Sequence, residues 1–232
     1  MLCVNGITFN MGLAHSPSII SDGLVFYLDA ANTRSYSGSG LTVNGLVGGI
    51  GGTLVNGVGF TSSNNGLFSF DGTNDYINVP SITSISGDFS VLVWFRTSTT
   101  NGNTARLVDF DYINGFWLGR SGGGGNPINW GGGIKESSDP YGIFLPFTDN
   151  EWHLISSVRS STTHYIYKDN LIASTSNTVS GTALTSSQLF IGAVTSGAPF
   201  NGNIGQIQIY NRALTQQEIL QNYNATRKRF GL

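Results

Sequence analysis

The chain has 232 residues, of which 39% are hydrophobic and only 10% are charged, and it contains 32 glycines. This composition favours one all-β domain of short strands and tight turns over helices laced with ion pairs. A formal net charge of −2 excludes the basic surface that nucleic acid or anionic lipid requires. The single cysteine, Cys3, excludes an intrachain disulfide and a thiolate zinc site.

The first 22 residues are predicted to form an arm outside the domain. Gly6, Gly12 and Pro17 disfavour a continuous element there. No Lys or Arg precedes an uninterrupted apolar run, so we expect no secretory signal. No stretch of the sequence is apolar for long enough to span a bilayer.

Short strands dominate the rest of the chain. Within 89–97, Phe89 and Val91 fall on one face and Trp94 on the other, which predicts a strand that is buried on both sides. Trp152 is likewise predicted to lie in the core. The sequence Lys168-Asp169-Asn170 predicts a hairpin turn between 163–168 and 171–175. The predicted strands, rich in β-branched and aromatic residues and bounded by Gly, Asn, Ser or Asp, are 23–30, 67–70, 76–79, 89–97, 105–110, 115–120, 151–159, 164–170, 188–193 and 203–211.

One helix is predicted near the end of the chain, at about 215–224. Thr215 and Glu218 form the pattern of a capping box, and Leu214 is placed to pack on Ile219 in the first turn. A basic tail, 227–232, follows. Its cations match the negative end of the helix dipole, and the alternative is that they dock onto a partner protein through Arg227, Lys228 and Arg229.

The order of several segments carries a family resemblance. The segments are GLVFYLDAANTRSYSGSG, GTLVNGVGF, FSFDGTNDYINV, FSVLVWFRT, EWHLISSVR with YKDN, and GNIGQIQIYNRALTQQEI. Together they resemble the concanavalin A-like, laminin-G-type domains, most closely the versions in bacteriophage virion proteins, from about Gly23 to about Asn224. The resemblance implies an antiparallel jelly-roll β-sandwich over residues 23–226, with a concave surface and rim loops where many relatives bind glycans. Because this fold hosts lectins, hydrolases and structural modules, it does not fix a function.

The stretch FDGTNDYINV, residues 70–79, leaves two interpretations. Asp71 and Asp75 around Gly72 suit a turn in which the carboxylates accept hydrogen bonds from backbone N–H groups. The alternative is a calcium site, to which Asp71, Asn74 and Asp75 contribute oxygen ligands. Relatives often add an acidic residue where this chain has Gly205 and Gln206, and its absence argues against calcium. We therefore expect no cofactor.

Catalysis is not expected. A retaining glycosidase needs two carboxyl groups about 5 Å apart. The glutamates are far apart in sequence, at Glu136, Glu151 and Glu218. Asp109 and Asp111 share one strand face but lack those glutamates, so a glycoside hydrolase is kept only as the weakest alternative. The histidines, which are His15, His153 and His164, lie near no serine or cysteine elbow in the sequence.

The candidate binding segment is the glycine-rich stretch 112–142. Exposed aromatic rings stack on sugars, and polar neighbours fix their orientation. The candidate residues are Trp130, Trp117, Asn126, Asn129 and Arg120. The alternative is that Trp117 and Trp130 cap the core of the sandwich.

These observations predict a non-catalytic structural or interaction module on the surface of a phage particle, either a capsid decoration or a fibre component. Its expected partners are other virion proteins, as a homo-oligomer or with capsid or tail subunits. The alternative function is a lectin-like module that recognises a cell-surface glycan.

Overall fold

The computed structural model describes residues 17–82, 85, 87–97, 104–110, 115–120, 129–134, 142–147, 150–171, 173–179, 188–194 and 197–232, and the backbone of 3–4 and 7–8. A two-stranded pair, β1 (Cys3–Val4) and β2 (Ile7–Thr8), precedes the domain. The other elements are β3 (Leu24–Asp29), β4 (Thr42–Asn44), β5 (Gly51–Val55), β6 (Gly59–Thr61), β7 (Leu67–Asp71), β8 (Tyr76–Val79), β9 (Phe89–Arg96), β10 (Ala105–Phe110), β11 (Phe116–Arg120), β12 (Asn129–Ile134), β13 (Ile143–Pro146), β14 (His153–Ser160), β15 (Thr163–Lys168), β16 (Ala173–Thr178), β17 (Leu189–Ile191), β18 (Asn201–Tyr210) and α1 (Gln216–Thr226).

Two antiparallel sheets pack face to face, as the sequence predicted for a jelly roll. Sheet I has the order β13-β12-β11-β10-β17-β8-β5-β4. Sheet II has the order β16-β15-β14-β9-β18-β7-β6, and β3 also pairs with β18. The main core fills the space between the sheets and draws on both, with residues such as Phe95, Leu118 and Ile207.

The outer face of sheet II is covered by α1 and by the 3-10 turn Arg227–Phe230. Trp94 stacks on Tyr223 and Phe230, with ring centroids 5.5 and 4.4 Å apart, and its Nε1 donates to Thr226 Oγ1 at 2.8 Å. The alternation predicted for β9 is confirmed, because Phe89 packs in the main core while Trp94 packs in this second apolar cluster. The longest helix in the described part of the chain is α1, and its 11 residues are too few to cross a membrane.

The predicted helix and its cap are confirmed. Thr215 Oγ1 accepts from Glu218 N at 3.3 Å, and Glu218 Oε2 accepts from Thr215 N at 2.8 Å. Leu214 and Ile219 are both buried in the cluster beneath the helix. The capping box therefore fixes where the helix begins, and the apolar stripe fixes which sheet it covers.

The end of the predicted arm is attached to this helix. Gln221 Nε2 donates to Ser18 O at 2.8 Å, and Ile20 N donates to Asn222 Oδ1 at 2.8 Å. The predicted boundary at residue 22 thus lies after the first contacts with the domain. A separate arm formed by the residues before 17 stays a prediction.

Candidate functional site

The glycine-rich segment contains a core strand rather than an exposed platform. Trp130 lies on β12, in register with Leu145 of β13, and is only 1% exposed. Its ring packs against Phe95 and Phe200, with centroid distances of 4.8 and 5.8 Å. The Trp130 ring therefore lies in the core of the sandwich, as the second of the two interpretations of this residue has it. An indole in this position cannot stack on a sugar outside the domain.

The side chain of Trp117 points to the opposite face of sheet I. Its indole lies against the backbone of Gly133, where an added Cβ would stand 2.7 Å from the indole Nε1. The Arg106 guanidinium stacks on the ring at 4.1 Å, and Arg106 Nε lies 3.4 Å from Asp109 Oδ2. Trp117, Arg106 and Asp109 are all buried. The glycine at 133 thus makes room for Trp117, which is a packing role.

The predicted binding residues do not converge. Arg120 is 2% exposed, and its guanidinium lies 5.4 Å from the ring of Trp130 inside the sandwich. Asn129 is half-buried at the start of β12. Asn126 lies outside the described residues. Because Trp117 and Trp130 face opposite sides of the same sheet, they cannot line one site together.

The stretch FDGTNDYINV forms a turn held by its own carboxylates. Asp71 Oδ1 accepts from Thr73 N at 2.7 Å, and Asp75 Oδ2 accepts from Asp71 N at 3.0 Å. Asp75 is only 3% exposed, so burial raises the pKa of its carboxyl group. Its Oδ1 has no hydrogen-bonding partner and lies 3.6 Å from where a Cβ on Gly57 would stand.

A calcium site at this turn receives no support from its surroundings. Among the described residues, no group of three or more His, Cys, Asp or Glu side chains could hold a metal ion. The positions where relatives carry an acidic residue have other uses here. An added Cβ on Gly205 would stand 2.6 Å from the Phe230 ring, and Gln206 Nε2 donates to Tyr27 Oη at 2.5 Å.

The same turn lines an open depression of ≈ 330 Å³ beside the outer face of sheet I. Thr73 and Asn74 of this turn line it together with Tyr76, the first residue of β8. Asn56 holds the neighbouring turn in place, because its Nδ2 donates to Asn74 O at 3.0 Å. The lining residues are Asn56, Thr73, Asn74, Tyr76, Ala193, Val194, Gly197 and Pro199.

Two further lining residues are joined by hydrogen bonds. Val194 and Gly197 exchange two backbone hydrogen bonds of 3.1 and 3.0 Å. The Tyr76 ring is held edge-on by Phe190 at a centroid distance of 5.9 Å, and Tyr76 remains partly exposed. The depression therefore combines a fixed aromatic ring with amide and hydroxyl groups, the combination that binds and orients a saccharide.

Sequence reasoning missed this depression, although one signal was present. In YINV, the two-residue period sends Ile77 and Val79 to the core and leaves Tyr76 and Asn78 on the outer face. The contributions of Asn56, Val194 and Gly197 depend on the pairing of β8 with β5 and β17, which the sequence does not show.

The basic tail is largely engaged within the chain. Arg229 Nη1 pairs with Asp29 Oδ1 at 2.5 Å, Nε donates to Asn64 O at 2.8 Å, and Nη2 donates to Gly66 O. The Arg227 guanidinium lies 6.0 Å from the Tyr223 ring, whereas Lys228 is exposed. The Arg229 guanidinium thus joins the end of the domain to β3, and docking of a partner by Arg227, Lys228 and Arg229 stays a prediction.

Several of the described carboxylates and histidines have structural partners, whereas Glu151 is exposed. Asp169 Oδ2 lies 2.9 Å from His153 Nδ1, and Arg212 Nη2 donates to Glu218 Oε1 at 2.6 Å. The structure also brings Ser157 Oγ within 2.7 Å of His164 Nε2, a pair that the sequence did not reveal. Both residues are fully buried between the sheets, where no substrate reaches them. Asp111, Glu136 and His15 lie outside the described residues.

A family model described as the concanavalin A-like lectin/glucanases superfamily matches residues 71–220. The match includes the aspartate turn, most of the lining of the depression, and the start of α1. No curated protein sequence matches the chain.

Solved structures share the fold at low sequence identity. Domain 4 of AbnA, a GH43 extracellular arabinanase from Geobacillus stearothermophilus, in complex with arabinotriose, is 15% identical with a TM-score of 0.66, covering 86% of this chain and 98% of that one. The receptor-binding domain of botulinum neurotoxin C/D mosaic serotype is 13% identical with a TM-score of 0.70, covering 88% and 51%. The binding domain of botulinum neurotoxin DC in complex with SialylT is 12% identical with a TM-score of 0.68, covering 88% and 52%. The chain thus spans about half the length of these toxin domains.

Proposed function

The chain belongs to the concanavalin A-like lectin/glucanase superfamily, and on that premise we propose that it is a non-catalytic, lectin-like module that binds a saccharide in the depression at Tyr76. The observation that carries this proposal is the convergence of Tyr76, Thr73, Asn74 and Asn56 on one open space. The domain of the arabinanase and one toxin domain, both similar in fold, were solved with saccharides bound, which supports the same class of ligand here.

The absence of catalysis is part of the proposal. The described carboxylates nearest to the depression, Asp71 and Asp75, accept hydrogen bonds from backbone N–H groups of their own turn. Such carboxylates are needed to hold the turn and are poorly placed to act as an acid and a nucleophile across a glycosidic bond. A reducing-sugar release assay on oligosaccharides that the protein binds should therefore stay at background, and release above background would contradict this part.

The decisive experiment is binding to a glycan array by the wild type and by Tyr76→Ala. Removal of the ring should weaken binding at least about tenfold, because aromatic stacking supplies much of the apolar contact in such sites. Thr73→Val, which removes only the hydroxyl group, should weaken binding by a smaller factor. Tyr165→Ala is the matched control, since Tyr165 is a half-buried tyrosine that stacks on Tyr167 in sheet II.

Comparison of Tyr76→Ala with Tyr165→Ala distinguishes the loss of a binding site from the loss of folding. We expect Tyr165→Ala to bind glycans like the wild type and both variants to keep a cooperative thermal transition. If the wild type binds no glycan, or if folded Tyr76→Ala binds as tightly as the wild type, the proposed site is wrong.

We further propose that this module is displayed on a virus particle, where it contacts other virion proteins and faces a cell-surface glycan. The support is the resemblance of FDGTNDYI and IYNRALTQQEI to phage virion versions of the fold. Antibody labelling of purified particles, with disrupted particles as the control, tests this location. Absence of the protein from purified particles would contradict it.

A further inference from the structure

The charge of the lining bears on which ligands the depression at Tyr76 accepts. None of the described residues that line it is Lys or Arg. Arg106 is attached to this region through its backbone, because its N donates to Ala198 O at 3.0 Å. Its guanidinium stacks on the ring of Trp117, and its Nε lies 3.4 Å from Asp109 Oδ2, so its charge is paired with a carboxylate.

The other arginine at this end of the domain is also engaged elsewhere. Arg96, at the end of β9, donates from Nη2 to Asn203 Oδ1 at 3.3 Å and lies 5.5 Å from the Trp152 ring, on sheet II. Among the residues that the structure describes, no lining guanidinium could thus form the charge-assisted, bidentate hydrogen bonds that recognise carboxylate and sulfate groups.

Two carboxylates flank the lining residues Thr73 and Asn74. Asp71 is exposed two positions before Thr73, and Asp75 is buried directly after Asn74. Burial raises the pKa of the Asp75 carboxyl group and thus favours its neutral form, so the negative charge beside the lining residues is that of Asp71. A carboxylate beside a binding surface disfavours association with a ligand of the same charge.

From this distribution of charge we infer that the depression selects uncharged saccharides and rejects saccharides that carry a carboxylate or sulfate group. The inference rests on the proposed function, because it names the ligand class of the same site. Hydroxyl groups of a neutral sugar match the amides of Asn56 and Asn74 and the hydroxyl of Thr73, which both donate and accept.

The test uses a glycan panel in which each neutral oligosaccharide is paired with its sialylated and its sulfated derivative. A fucosylated derivative of each core serves as a neutral extension that controls for added size. We expect the wild type to bind the neutral and fucosylated members, and to bind the sialylated and sulfated members about tenfold more weakly or not at all.

Asp71→Asn supplies the variant that acts on charge alone. The amide oxygen of an asparagine can still accept from Thr73 N, so the turn is kept. The variant should bind the sulfated derivative about threefold more tightly than the wild type does at low salt, with no gain at about 0.5 M salt. Its affinity for the neutral core should not change.

Asp88→Asn is the matched control, because Asp88 Oδ1 also accepts from a backbone N–H, that of Ser161, at 2.6 Å. Asp88 precedes β9 at the end opposite to Arg96, which places it about 25 Å from the turn. This control should alter neither affinity. Equal or tighter binding of sialylated or sulfated members, lost in Tyr76→Ala, would overturn the inference while leaving the site in place. Failure to bind any member of the panel would overturn the proposed function itself.

Discussion

The buried histidine between the sheets makes the domain sensitive to acid. His164 is fully buried, its ring lies edge-on to Phe116 at a centroid distance of 6.3 Å, and its Nε2 is 2.7 Å from Ser157 Oγ. Burial, together with the positive charge of Arg159, lowers the pKa of His164 from 6.5 to about 3. The imidazole is therefore neutral in the folded protein across the whole physiological range.

The direction in which pH changes the stability follows from the pKa of His164 in the folded and in the unfolded state. The unfolded chain binds a proton at His164 near pH 6.5, whereas the folded chain does so only near pH 3, so acid favours unfolding throughout that interval. Each pH unit costs about 1.4 kcal/mol. About 5 kcal/mol of stability is thus lost between pH 6.5 and pH 3, and the contribution is constant above pH 6.5.

The perturbation is His164→Gln, whose amide reaches Ser157 but does not titrate. Urea unfolding of both proteins between pH 7 and pH 4 gives the difference in their free energies of unfolding. Carboxylates titrate alike in the two proteins and cancel in that difference. We expect the advantage of the wild type to shrink by about 3 kcal/mol from pH 7 to pH 4. A difference that does not depend on pH would refute the reasoning.

Three further predictions concern residues assigned above. Arg229→Ala should lower the free energy of unfolding by about 3 to 5 kcal/mol, because it leaves the mostly buried carboxylate of Asp29 uncompensated, whereas Lys228→Ala should change it by less than about 0.5 kcal/mol; equal effects in urea unfolding would contradict the structural role of the Arg229–Asp29 pair. Trp130→Ala should cost about 3 to 5 kcal/mol as a core truncation, and a melting temperature within a degree of wild type would place the ring outside the core. Treatment with a calcium chelator should leave the melting temperature unchanged, and a drop of several degrees reversed by added calcium would show a site at the aspartate turn.

The sequence predicted the regular parts of the fold because their signals are local. The alternation in β9 and the capping box at Thr215 each depend on residues a few positions apart, and both are found where they were expected. β12 was not among the predicted strands because Asn129–Ile134 has three glycines and no β-branched residue before its last position. Its strand conformation is imposed by the neighbouring β11 and β13, and such tertiary context overrides propensity.

The functional residues were harder to predict because they are assembled from distant segments. Asn56 and Asn74 are 18 positions apart, and the lining residue Val194 is more than a hundred positions further along. The ion pair between Arg229 and Asp29 likewise joins residues 200 positions apart. The sequence Arg227-Lys228-Arg229 does not show which of its side chains forms an ion pair within the domain. That depends on how the 3-10 turn packs on sheet II.

The position of β18 within sheet II also governs when the domain can form during synthesis. This strand lies at the centre of the sheet and pairs with β3, β7 and β9, all of which precede it by more than a hundred residues. Until Tyr210 has left the ribosome, those three strands have unpaired edges and apolar faces without a neighbour. Pairings of such high sequence separation are slow to form, and open edges favour association between chains. Folding therefore follows the synthesis of β18, and expression at lower temperature should increase the yield of assembled domain.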